Sequence, residues 1–184
     1  MAKKNLGSKL ALYPTPVTVV GAMTDKGPNW LLVAHVGIIG HDRVTISCAK
    51  QHYTNQWIRK NGTCSVNLID EKLLRAADHV GSVSGAKEDK SDAFAWSAAE
   101  GGAPLIDESP LSLACSVKDV YETDGFETFV LAIDGTYVDE ACLDEKGKID
   151  YGKVAPVLFE FPTYSYWSLG ERVGGCLRLD RPEA

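Results

Sequence analysis

Apolar residues in the first seventy positions fall into short, β-branched runs separated by turn formers, the pattern of a strand-rich chain. Val17-Thr18-Val19-Val20-Gly21-Ala22 is one such run, and Asp25-Lys26-Gly27-Pro28-Asn29 is dense in turn residues, which predicts an early hairpin. Its return arm, Trp30 to Ile39, reads as a strand or a buried irregular run. Arg43 to Ala49 alternates apolar and polar positions, and Cys64 to Ile69 places Val66 and Leu68 on one face at a period of two. Two short helices interrupt the strands. The first is expected to open at Thr54 as N-cap and to bury Trp57 and Ile58. The second is expected to be capped by Asp70, to carry Leu73, Leu74, Ala77 and Val80 at core spacing, and to stop at Gly81.

From Ser82 to Gly102 the residues turn to Ser, Gly, Ala, Lys and Asp, with Phe94 and Trp96 the large anchors, which predicts a loop with one helical turn. Connections of this length inside a domain usually cover a ligand or a partner subunit. Leu111 to Val117 and Phe126 to Val138 then read as a second hairpin joined near Thr123-Asp124-Gly125. Asp144 to Lys148 is a charged turn, Val154 to Phe161 a last apolar element, and Tyr164, Tyr166 and Trp167 lie close together before Gly170. Many strands with few helices favour a barrel or sandwich over a βαβ architecture. In agreement, no G-x-G-x-x-G follows a strand and no phosphate loop with its lysine is present, so a nucleotide would not be held by a Rossmann unit.

A length of 184 residues suits a single domain, 1–184, which buries roughly 70% of the surface its unfolded chain exposes. The net charge of −6, with Lys and Arg scattered, gives no electrostatic footprint for nucleic acid. The basic start, Lys3-Lys4, is not followed by an apolar stretch of a targeting signal, so a cytoplasmic location is expected. The run Leu31 to Gly40 is broken by His35 and falls short of the ~20 residues a membrane span needs, and no membrane partner is expected. The five cysteines form no C-x-x-C pair and the four histidines show no ligand spacing, so neither disulfides nor a metal site is indicated. Cys48 and Cys64, in strand-like runs, read as small buried hydrophobes. Asn61-Gly62-Thr63 matches a glycosylation sequon and is read as a turn between helix and strand.

The chemistry concentrates in Ser47-Cys48-Ala49-Lys50-Gln51-His52-Tyr53-Thr54, where a strand ends in hydrogen-bonding side chains and opens into a helix. The Thr54 hydroxyl, the free N–H groups of the first turn and Lys50 can converge there on one anion, of which phosphate is the obvious example. The alternative is a capped helix with a polar shoulder.

The succession Tyr13-Pro14-x-Pro16-Val17-x-Val19-Val20, a turn with Asn29, Ser47-x-x-Lys50-x-x-x-Thr54-x-x-x-Ile58 and Val66-Asn67-Leu68 resembles the flavin reductase-like family, and is most similar to its flavoredoxin branch. Ser84-Gly85-x-x-x-Asp89-Lys90 is similar to the loop after that family's second helix, and Tyr166-x-x-Leu169-Gly170-Glu171-x-Val173-Gly174 to its closing segment. The chain departs from it at His41-Asp42-Arg43, where the family often has a Pro pair, and at Ser91, where an aromatic often follows the lysine. The resemblance implies a mainly β fold, an FMN-binding split β-barrel with a few short helices, and a homodimer holding FMN near the subunit interface. Ser47, Lys50 and Thr54 would match the phosphate site, Val33, Ala34, His35 and Val36 the segment facing the ring, and Gly85 and Lys90 the added loop. With their neighbours Asn29, Cys48, His52, Tyr53 and Ser84 these are the cofactor-binding candidates; no catalytic residue and no metal ligand is assigned. His35 would tune the flavin or serve as a structural histidine, and Tyr164, Tyr166 and Trp167 would stack on the ring or build core or interface.

The function so implied is an FMN-dependent oxidoreductase passing electrons from a reduced donor, a nicotinamide nucleotide or a redox protein, to flavin or another acceptor. The alternatives are an FMN-binding electron carrier and a barrel that binds some other phosphorylated ligand. An adenosine 2′-phosphate would need a cation such as Arg43, Arg59, Arg75, Arg172 or Arg178.

Overall fold

In the computed structural model, which describes residues 1–177 and 179, twelve strands and three helices are found among the described residues. The strands are β1 (Thr15–Pro16), β2 (Thr18–Thr24), β3 (Gly27–Val33), β4 (Val36–Ile38), β5 (Arg43–Ala49), β6 (Thr63–Leu68), β7 (Trp96–Ala98), β8 (Pro104–Ile106), β9 (Leu111–Glu122), β10 (Phe126–Val138), β11 (Leu158–Glu160) and β12 (Ser165–Trp167). The helices are α1 (Tyr53–Asn61), α2 (Leu74–Ser82) and α3 (Tyr151–Val154). Seven strands form one antiparallel sheet in the order β3-β2-β6-β9-β10-β5-β4. Its two outermost strands, β3 and β4, are consecutive in the chain and joined by Ala34-His35 alone. A two-residue link can connect opposite edges only if the sheet curls until they meet, so the half-barrel follows from the topology. The fold is the split β-barrel expected, mainly β with short helices.

Alternation sorts the core into two layers. Val20 and Ala22 of β2 join Ile46, Cys48, Ile58, Cys64, Cys115, Phe129 and Leu131 inside the curl. Val19 points the other way, with Trp30, Ala77, Val80, Phe94 and Val157. A Cβ at Gly21 would run into the Trp30 indole, so the close approach of β2 and β3 depends on that glycine.

Several local expectations are corrected. The first hairpin turns at Asp25-Lys26, not across Asp25 to Asn29. Thr24 accepts from the Lys26 N–H at 3.1 Å and donates to the Gly27 carbonyl at 2.8 Å, and Gly27 takes φ +123°, which closes the turn early. Pro28 and Asn29 therefore lie in β3, an edge strand in which a missing N–H is tolerated. Helix α1 begins at Tyr53 with His52 in the cap position and no side-chain cap, so Thr54 is inside the helix and not its N-cap. Asp70 accepts from the N–H groups of Lys72 and Leu73 at 3.0 and 3.1 Å, capping the turn that leads into α2, which runs one residue past Gly81. The long connection contains a 3₁₀ turn at Ser91–Ala93 and the β7–β8 hairpin, and Phe94 seats edge-on against Trp30 at 5.5 Å. Val154 to Phe161 is split between the end of α3 and β11, which pairs with β1 and β12 in a small three-stranded sheet. No helix among the described residues is long and apolar enough to cross a membrane.

Candidate functional site

The seam where the sheet edges meet is also where the candidate residues gather. Around it opens a cleft of about 460 Å³ lined by Val33, Ala34, His35, Ser47, Cys48 and His52, with Gly81 and Ser82 of α2 on one side and Phe126, Phe161 and Tyr164 on the other. The Ala34-His35 link is pinned by its carbonyls: Thr15 Oγ1 donates to Ala34 O and Ser47 N donates to His35 O, each at 2.9 Å. The N–H groups of Ala34 and His35 find no acceptor among the described residues. Two backbone donors are thereby left at the cleft, as expected where a chain leaves one sheet edge for another. The His35 ring lies stacked near Phe161, with centroids 6.2 Å apart, and tilted to Phe126 at 5.9 Å. Ser47 is not free at its side chain, since its hydroxyl is hydrogen-bonded to that of Thr128 at 2.8 Å. The Cys48 thiol is pushed up to about 12 by burial and secondarily by Glu127, so at neutral pH it is an inert wall rather than a nucleophile.

His52 also borders a second recess of about 380 Å³, the shoulder, lined by Lys50, Tyr53, Asn55 and Arg59 at the start of α1. In the first turn of α1 the Asn55 N–H is taken by the His52 carbonyl at 3.2 Å, and those of Tyr53 and Thr54 find no acceptor among the described residues. The cations here are already paired. Lys50 Nζ is 3.0 Å from Glu122, and the Arg59 guanidinium is 2.6 Å from Glu122 and 2.7 Å from Glu127. Glu122 is held below the ordinary carboxylate range by Lys50 and then Arg59, and Arg59 is held above its usual value by Glu127 first. His52 is lowered by burial and by repulsion from Lys90. Thr54 is 1% exposed and its hydroxyl accepts from the Asn29 amide at 2.7 Å, so it ties α1 to β3.

A third recess of about 220 Å³ touches Asn29, Tyr53, Gly85 and Lys90. A Cβ at Gly85 would collide with the Asn29 amide and reach 2.8 Å from the Tyr53 ring, so only glycine lets this loop lie on β3 and α1. Lys90 is 5% exposed and turned inward, donating to the carbonyls of Val80 at 2.8 Å and Val83 at 3.0 Å at the end of α2. Burial lowers its pKa. Three candidates stand apart, the buried Thr54 among them, which lines none of these recesses. Val36 lines the apolar mouth of the barrel instead, because it starts β4 beyond the link, and Ser84 lines none of the three recesses, its carbonyl closing the turn to Lys87 and Glu88. Sequence reasoning passed over Phe126 and Phe161, and named Arg59 only among the cations that could meet an adenosine 2′-phosphate. The one available signal was the spacing of Arg59 four residues after Asn55, which puts both on one helix face.

The profile of the flavin reductase-like domain matches residues 10–167. The chain belongs to the flavin reductase-like family. Within this flavin-binding family it sits with the flavoredoxin-like branch. The flavoredoxin from Methanosarcina acetivorans is 32% identical, covers 98% of both chains and superposes with a TM-score of 0.92. The flavoredoxin of Desulfovibrio vulgaris (Miyazaki F) is 29% identical over 98% of this chain and 100% of its own, with a TM-score of 0.90. An FMN-binding protein from Thermus thermophilus shares the fold at 18% identity, over 95% of this chain and 97% of that one, with a TM-score of 0.79. Comparison with curated proteins gave no match. In this flavin reductase-like chain the seam cleft and the α1 shoulder gather most of the residues singled out from the sequence.

Proposed function

We propose that the protein is a flavin-dependent oxidoreductase whose cleft holds FMN and which passes electrons from a reduced donor to flavin or another acceptor. The observation that carries this reading is that cleft and shoulder meet at His52, which lines both: an aromatic-walled slot with two unpaired backbone N–H groups adjoins a helix N-terminus with Lys50 beside it. Both volumes lie in or near the usual range of small-ligand sites, and the pair fits a planar heterocycle with an anionic tail. The relatives' names, two flavoredoxins and an FMN-binding protein, point the same way, while an NADH:FAD oxidoreductase from Streptomyces globisporus among the fold's neighbours keeps FAD as the alternative.

When bound, flavin supplies the hydride and one-electron chemistry. The chain's part is to hold and to insulate. Ala34 and His35 N–H groups would face acceptors on the ring, Phe126 and Phe161 would exclude water beside it, and the Cys48 thiol would stay protonated. Lys50 would leave Glu122 to meet the phosphate with the first N–H groups of α1. The apolar mouth of about 680 Å³, with Ile38 86% exposed at its rim, is read as the face taken by a second copy in a homodimer. Four buried free thiols favour a reducing compartment such as the cytoplasm.

The donor is read as NADH or NADPH. A carrier role served by a redox protein is favoured by one observation: among the described residues no Lys or Arg lines the cleft, so the phosphates of a dinucleotide would find no cation there from them. Arg178 lies outside the described residues. Anaerobic addition of NADH or NADPH to the flavin-loaded protein decides between them: bleaching of the visible band supports the reductase, and bleaching by dithionite alone supports the carrier. A protein that binds neither FMN nor FAD would overturn both.

A further inference from the structure

Tyr13 lies outside the seven-stranded sheet, in the segment that precedes β1, yet its hydroxyl is 2.9 Å from Nε2 of His35. That hydroxyl makes no other hydrogen bond among the described residues, and the ring packs edge-on against Phe159 at 6.4 Å. The position is held independently. β1 pairs Thr15 with Phe159, and the Thr15 hydroxyl reaches Ala34 O, the residue before the histidine. His35 is in turn fixed at its carbonyl by Ser47 N and bordered by Phe126 and Phe161. Of its two ring nitrogens, Nδ1 alone has no partner among the described residues.

We propose that Tyr13 is a positioning residue: its phenol donates to Nε2 of His35 and thereby sets the neutral imidazole as the Nδ1–H tautomer, with Nδ1–H offered to the ring of a bound flavin. A phenol is a far stronger acid than a neutral imidazole N–H, so the bond is better made with the phenol as donor. A histidine nitrogen engaged in this way dictates what the other can do. Burial raises the Tyr13 pKa, which keeps the phenol protonated through neutral pH. The flavin half of this inference rests on the proposed function; the tautomer half does not.

Tyr13→Phe keeps the packing and removes the hydroxyl. The direct measurement is the pair of ¹⁵N shifts of His35 in the flavin-free full chain at about pH 8.5, two units above the ordinary imidazole value. The wild type is expected to show a protonated Nδ1 and a bare Nε2, and the variant, with an unchanged circular dichroism spectrum, to lose that preference. A protonated Nε2 in the wild type, or the same Nδ1–H pattern in the variant, overturns the proposal. In the flavin-loaded protein the variant should bind FMN and riboflavin equally more weakly, by about twofold to tenfold, the worth of one neutral hydrogen bond. That loss should vanish when Tyr13→Phe is made in a His35→Gln background; a loss that persists there means Tyr13 does not act through His35. Absence of flavin binding by the wild type overturns the proposed function and the flavin half, while the ¹⁵N shifts still decide the tautomer.

Discussion

The cleft and the shoulder share His52 and are built by different means. The cleft is a product of topology: two sheet edges meet through Ala34-His35, and the donors it offers are backbone N–H groups that the ladder has run out of partners for. The shoulder is a product of side chains, and its charges are paired with one another, Lys50 and Arg59 with Glu122 and Glu127. The first kind of site is preformed and costs little to fill. The second must exchange one set of ion pairs for another when an anion arrives, and exposed pairs of this sort are weak enough to be exchanged. On the proposed reading, ring recognition is therefore rigid and phosphate recognition adjustable.

Removing Lys50 tests that division most severely. A charge-assisted hydrogen bond is worth about 1.5–3 kcal/mol, so Lys50→Ala should weaken FMN binding by about tenfold to a hundredfold. Riboflavin, which has the ring and lacks the phosphate, should be unaffected in the same titration. Equal losses would mean that the shoulder supports the cleft rather than an anion.

Thr54→Val separates the same two regions in the opposite sense. The sequence placed Thr54 at the helix cap and in the anion grip, but the structure buries it under Asn29, whose amide would be left without an acceptor. A buried donor so stranded costs about 1–3 kcal/mol. The variant should unfold at lower temperature, and FMN and riboflavin should be affected alike. A loss confined to FMN would return Thr54 to the anion site.

Much of the fold was legible because it is local. A β-branched run marked β2, alternation marked β5 and β6, and apolar runs on either side of Thr123-Asp124-Gly125 marked β9 and β10, since such patterns and turn chemistry are written within a few residues. What escaped depends on partners far along the chain. Asn29 meets Thr54 across 25 positions, Lys90 finds the carbonyls of α2, and Phe161 reaches His35 only because β11 and β12 fold back beside the seam. The strand-to-helix crossing at Ser47–Thr54 was legible as a cluster of hydrogen-bonding side chains beside a lysine. Its charge balance was not, because Glu122 and Glu127 sit on a hairpin that the local pattern could not bring to α1.

Those two carboxylates give a smaller, sharper test. If Glu122 competes with phosphate for Lys50 and Arg59, Glu122→Gln should tighten FMN binding by about twofold to fivefold, the worth of an exposed pair, and leave riboflavin alone. Isothermal titration at low salt would show it. Weaker FMN binding in this variant would mean that Glu122 instead holds the lysine in its working position.

The smallest effect concerns His52, the residue the two regions share. Its folded pKa lies below the ordinary 6.5, first because it is half-buried and second because Lys90 repels its charged form. The unfolded chain therefore binds a proton that the native protein resists. His52 contributes stability that is present above pH 6.5 and is lost as the pH falls through the folded value, and His52→Gln should flatten that part of the melting-temperature profile. A phosphate in the shoulder reverses the local field, favours the imidazolium and lifts the pKa. Linkage then requires FMN affinity to gain on riboflavin affinity as the pH drops from 8 towards 6. The phosphate's own titration is common to wild type and His52→Gln, so the ratio of their FMN affinities isolates the histidine. A ratio that stays constant across this range would place the anion away from His52, and cleft and shoulder would no longer be the two halves of one ligand's site.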